Sequence, residues 1–163
     1  MEKKKRKSKI ILIVLLLVVI GLLAASYMVF RAVPKSKFEK TYDVPHGLSA
    51  EETIEKYFEY IGDRNPAKAN MLWVKPALDA YSCVTVKSAK VNNIDNMGKT
   101  IHMPYSSKDI YDNVECLVNY DCEYWFDWDG NGPFWNGTNS IFFYLIKETE
   151  DSDWKIADIY NGP

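Results

Sequence analysis

Tyr111 to Trp128 reads YDNVECLVNYDCEYWFDW, and its alternation decides the fold. From Asn113 onward, Val114, Cys116, Val118, Tyr120, Cys122, Tyr124, Phe126 and Trp128 hold the even positions, all apolar or aromatic. Over the same span the odd positions are polar except at Leu117 and Trp125. A period of two over this length is a long β-strand with one covered and one wet face, as in an antiparallel sheet.

The strands on either side follow from it. SIFFYLIKE (Ser140 to Glu148) is apolar on both faces and so central. TEDSD turns the chain, and WKIADIY (Trp154 to Tyr160) is the last strand. Upstream, Cys83 to Val91 is rich in β-branched residues and reads as the first strand, and Asn92 to Ser107, punctuated by Asn, Gly98 and Pro104, reads as a loop. Before the strands come helices. Ser49 and Glu52 have the spacing of a capping box, and Ile54, Tyr57, Phe58 and Ile61 form one apolar stripe that ends at Gly62. Asn65-Pro66 caps and opens a second, shorter helix, and Ala77 to Tyr81 adds one further turn. The expected class is α+β: two to three helices packed on a curved four-stranded antiparallel sheet.

The N-terminus is of another kind. Ile10 to Phe30 is uncharged, and 21 residues at about 1.5 Å each span roughly 31 Å, the thickness of a bilayer's hydrocarbon core. Residues 1–9 (MEKKKRKSK) form a basic tail that stays cytoplasmic beside such a segment. A cleaved signal peptide shares this layout, but the apolar run is long for one and continues past Ala24, Ala25 and Ser26. The expected organisation is therefore a tail (1–9), a transmembrane helix (10–30), a linker (31–48) and an extracytoplasmic domain (49–163). Residues 1–31 carry a net charge of +6 and residues 32–163 a net of −8. So acidic a domain excludes the basic face that nucleic-acid binding requires, and leaves the lipid bilayer as the partner of the tail and span.

Cys116 and Cys122 lie on one strand about 20 Å apart, too far to bridge, so any internal disulfide uses Cys83. Three reduced cysteines acting as small apolar groups are the simpler expectation, with a Cys83 pairing to Cys116 or Cys122 left open.

The order of elements resembles the nuclear-transport-factor-two-like (cystatin-like) superfamily. The likeness is carried by SAEETIEKYFEYIGDRNPAKANMLW, VECLVNYDCEYWF and SIFFYLIKETEDSDWKIADIY. It is similar to small membrane-tethered or secreted members from Gram-positive bacteria, and implies a helix packed into a curved sheet to form a cone. That fold hosts isomerases, dehydratases, secretion-channel subunits and binding modules, so it names no activity. Enzymes of the superfamily place an Asp or His inside the cone. Here His46 lies in the linker and His102 in a loop, and Asp158 is the one carboxylate with an inward strand parity.

Asp127 to Gly137 (DWDGNGPFWNG) holds two chemistries. Asp127, Asp129 and Asn131 have the spacing that opens a calcium loop, yet Thr138 replaces the bidentate Glu of position 12 and the flanks are strands. A wide hairpin connection with positive-φ glycines explains the stretch without calcium or another cofactor. Its aromatic content is not explained by turning, and Trp125, Phe134 and Trp135 are the candidate partner-binding anchors. No catalytic residue is assigned. The expected role is a non-catalytic binding or assembly domain of the bacterial cell envelope, with an envelope protein as partner. The alternatives are a subunit of an envelope-spanning secretion or conjugation channel, and a small-molecule-binding or isomerase-like enzyme.

Overall fold

The computed structural model describes residues 11, 13–25, 43–75, 83, 85–100, 110–125 and 134–161. The chain divides into two units, Met1–Val33 and Pro34–Pro163. In the first, residues 13–25 form helix α1, whose large apolar side chains are all exposed, from Val19 at 48% to Leu23 at 65%. Among the described residues no helix is long and apolar enough to cross a membrane. The described part of α1 covers only about 20 Å at ~1.5 Å per residue, and residues 10, 12 and 26–30 of the expected span lie outside the description.

The second unit is α+β. Helix α2 (Ala50–Gly62) and helix α3 (Pro66–Met71) precede strands β1 (Val86–Gly98), β2 (Asp112–Tyr124), β3 (Gly137–Lys147) and β4 (Lys155–Tyr160). The strands form one antiparallel meander in the order β1-β2-β3-β4. α2 starts where its sequence says: Ser49 Oγ accepts from Glu52 N at 3.1 Å, and Glu52 Oε2 accepts from Ser49 N at 2.7 Å, so two donors of the first turn are satisfied reciprocally. Asn65 caps α3 in the same way, its Oδ1 accepting from Lys68 N, with Pro66 at the first helical position.

Gly62 does not stop α2 by leaving the helical region; the left-handed residue is Arg64, at φ 57°. What Gly62 supplies is proximity. A Cβ there would stand 3.3 Å from the Ala89 carbonyl oxygen, so its absence lets the end of α2 lie against β1.

The alternation of β2 holds through Tyr124, and Phe126 and Trp128 lie outside the described residues. Val114, Cys116, Val118, Tyr120 and Cys122 are buried against Ile54, Tyr57, Phe58 and Ile61 of α2. β3 is buried on both faces: Ile141, Phe143 and Leu145 belong to this core, while Tyr144 and Ile146 join Ala157 in a smaller cluster on the opposite face. The backbone of residues 72–74 covers part of the free edge of β4, with Val74 N donating to Ile156 O and Ile156 N to Leu72 O. The three cysteines are buried and form no disulfide, and burial pushes the Cys116 thiol pKa up to about 12.

Two expectations need correction. β1 runs to Gly98, so the first half of the stretch read as a loop, Asn92 to Gly98, is strand. Asn and Asp are poor strand formers, but β2 offers a ladder along its whole length and that pairing wins. Register shifts at three points accommodate the misfit. Asp158, expected inward, pairs with Tyr144 on the face away from α2. An irregularity at Ala157 inserts one residue between Ile156 and Asp158 and inverts the parity. The turn at Ala77 to Tyr81, His102 and the linker up to residue 42 lie outside the described residues.

Replacing Ser49 by Ala removes the half of the capping box made by its hydroxyl and leaves Glu52 N without that acceptor. It is expected to lower stability by about 1 kcal/mol, read from the midpoint of urea unfolding at unchanged slope.

Candidate functional site

The inner-face tyrosines of β2 fix the far end of the β2–β3 connection. Tyr124 Oη donates to Phe134 O at 2.7 Å and accepts from Phe134 N at 3.2 Å. Tyr120 Oη accepts from Trp135 N at 3.3 Å. Burial raises both phenols above the ordinary tyrosine range, so they remain neutral donors and acceptors. The near end is fixed by Trp125 N, which donates to Thr85 O at 2.8 Å.

Held this way, the three aromatic anchors part company. Phe134 is 4% exposed and lies inside the core, stacked on Phe58 at 4.6 Å and 13° and tilted against Tyr120 at 4.9 Å. It fills the interior and presents nothing to solvent. Trp125 and Trp135 remain outside, 45% and 59% exposed. Lys87 Nζ lies 5.8 Å over the Trp125 ring and pairs with Glu123 at 2.6 Å, while Asn139 Nδ2 donates to the carbonyls of Trp135 and Asn136. Both tryptophans thus stand on backbone that the strands immobilise, so a partner would spend little ordering entropy to bind them. The chain enters the domain at the other end of the sheet, where His46 Nδ1 and Gly47 N meet the Asp153 carboxylate at 2.7 and 2.8 Å.

Gly137 has φ +89°, the positive-φ position expected at the second Asn-Gly pair, and the connection is flanked by strands on both sides. Asp127, Asp129 and Asn131 lie outside the described residues. Among the described residues no three His, Cys, Asp or Glu side chains gather where a metal could sit. No Asp, Glu, His or Lys is among the buried residues described: the buried polar ones are Thr53 and Asn65, and burial raises the titratable groups Tyr57, Tyr120, Cys116 and Cys122 so that they stay neutral. Thr53 Oγ1 donates to Ser49 O at 2.8 Å.

Residues 51–159 match the model of a family described as a domain of unknown function (DUF4829). The chain belongs to this family. No curated protein and no solved structure matches it. The matched span begins in the first turn of α2 and ends within β4, so the family is defined on the folded α+β unit and not on the segment that contains α1.

Truncating Phe134 and Trp135 separates core from surface. Phe134→Ala is expected to cost about 3–5 kcal/mol by opening a cavity, whereas Trp135→Ala stays within about 0.5 kcal/mol of the parent in the same unfolding measurement. For the connection itself, calcium and EDTA are expected to leave the thermal midpoint of the full chain unchanged, because a ligand that binds only the folded state must raise it.

Proposed function

We propose that this is a single-pass membrane protein whose acidic α+β domain lies outside the cytoplasm and acts as a binding or assembly module of the cell envelope. It carries out no reaction, and Trp125 and Trp135 are the anchors for its partner. The observation that carries this reading is α1. Its large apolar residues are exposed on every side, and a helix without a polar face needs a solvent as apolar as itself. The bilayer supplies one, and the basic residues ahead of the helix give the orientation.

A binding role is favoured over an enzymatic one by the interior of the domain. Tyr57, Phe58, Tyr120, Phe134 and Phe143 fill it with interlocking rings at 4.6–6.2 Å, and burial raises the two phenols away from the neutral range in which an acid–base catalyst must titrate. What the domain offers outward is apolar aromatic area on rigid backbone, the usual composition of an interface anchor. The resemblance to nuclear-transport-factor-two-like proteins agrees with such a role, since that fold serves binding and channel assembly as well as catalysis.

Topology is tested by reporters fused after Pro163. Alkaline phosphatase, active only outside the cytoplasm, is expected to be active, and a cytosol-dependent green fluorescent protein to stay dark; the reverse pattern removes the proposal. In the same cells, a photocrosslinking residue at position 135 is expected to give a discrete adduct with another envelope protein, and one at Asn93, on the polar face of β1, none.

A further inference from the structure

Residues 43–47 lie ahead of the span that the family model matches, yet they are docked on it. Val44 is 6% exposed and belongs to the main core cluster with Ile54, Phe58 and Leu145. Two residues on, His46 Nδ1 meets Asp153 Oδ2 at 2.7 Å, and Gly47 N donates to Asp153 Oδ1 at 2.8 Å. One carboxylate thus takes two donors from this stretch, one on each oxygen. Its neighbours aim it. Ser152 Oγ accepts from Glu148 N and Thr149 N at 3.0 Å and donates to Thr149 O at 2.9 Å, which fixes the turn between β3 and β4.

What this stretch lacks is a ladder. Among the described residues no backbone-to-backbone hydrogen bond joins it to a strand or a helix, and Pro45 has no N–H to offer. Nor does α2 depend on it, since Ser49 and Glu52 close the first turn on each other. Attachment therefore rests on one buried side chain and one carboxylate whose bonds compete with water. β2, by contrast, is paired on both sides over most of its length. Local opening is governed by the contacts that must break together, so residues 43–47 can leave while the sheet stays closed.

We propose that residues 43–47 are a detachable strap, which leaves the domain as one unit with Asp153 as its holdfast and so gives the tether two lengths. With the strap docked, the free chain after the expected span is residues 31–42, about 40 Å when extended at ~3.3 Å per residue. Release adds five residues, about 17 Å at the same rise. The use of such a device rests on the membrane-anchored reading, because only in an anchored domain does a pull on the bound partner pass through the strap. Its opening does not rest on that reading, since every contact involved lies within the domain.

Val44→Cys turns opening into reactivity. The full chain carrying it, in lipid nanodiscs at mildly alkaline pH, is labelled with a water-soluble thiol reagent and read by peptide mass spectrometry. Buried Cys116 and Cys122 on β2 are the internal probes of global unfolding. Position 44 is expected to react well before them and at a rate that low urea leaves unchanged, whereas their labelling rises with urea as unfolding does. Adding Asp153→Asn, which keeps the shape and removes the charge, is expected to speed labelling at position 44 about tenfold and to leave Cys116 and Cys122 unchanged. The proposal is overturned if position 44 reacts only together with the β2 cysteines, because the strap then opens with the domain. It is equally overturned if Asp153→Asn leaves position 44 unchanged or speeds all three positions alike. Should Val44→Cys fail to fold by circular dichroism, hydrogen exchange of the Gly47 amide in the unaltered chain decides by the same criteria, with the Val118 amide as global reference. None of these results bears on topology, which the reporter fusions read separately.

Discussion

The ring of Phe134 stacks on that of Phe58, and this one contact ties together the three parts of the domain that sequence separates: helix, long strand and connection. Phe58 comes from α2, the hydroxyls that hold Phe134 in place come from Tyr120 and Tyr124 of β2, and Phe134 itself ends the β2–β3 connection. An interior of this size could be a pocket. Here a residue from the connection is driven into it, and the space becomes close-packed aromatic core. Trp135 is held outside by the same act, because its backbone N–H is bound to the Tyr120 hydroxyl one residue after Phe134 goes in.

Closing the interior moves any recognition to the rims, and the two rims differ in chemistry. One carries Trp125 and Trp135 on backbone pinned to Thr85 and to the β2 tyrosines. The other carries alternating amides and charges around Trp154, beside the Asp153 clamp on His46 and Gly47. The clamp sets where the chain enters. Backbone and imidazole donors hold the Asp153 carboxyl below the usual range, so the contact is fully present above the ordinary carboxylate pKa and is lost as pH falls through the lowered value.

Much of this was legible in the sequence, and the exceptions have physical causes. β2 declared itself because eight alternating positions leave only one period. The capping box at Ser49 and Glu52 and the Asn65-Pro66 start depend on local hydrogen bonds that need no tertiary context. β1 was half hidden: Asn92 to Gly98 has the composition of a loop, and only the ladder offered by β2 makes it a strand. Asp158 faces away from α2 although simple strand parity points it inward, because one inserted residue at Ala157 reverses the register. Among the aromatic anchors, nothing local distinguishes Phe134 from Trp135. The difference arises from which ring meets Phe58, a contact between residues 76 positions apart.

The edge strands bear on whether such a module assembles through its sheet. β4 is short, and residues 72–74 already occupy part of its outer edge. β1 is long, but Lys87, Lys90 and Asp95 are exposed along it, and its three register shifts bend the strand away from a flat template. Both devices oppose edge-to-edge pairing. With the interior filled and the edges blunted, the surfaces that remain for selective contact are side-chain surfaces at the two ends. The exposed Trp125 and Trp135 are the features there that solvation alone does not explain.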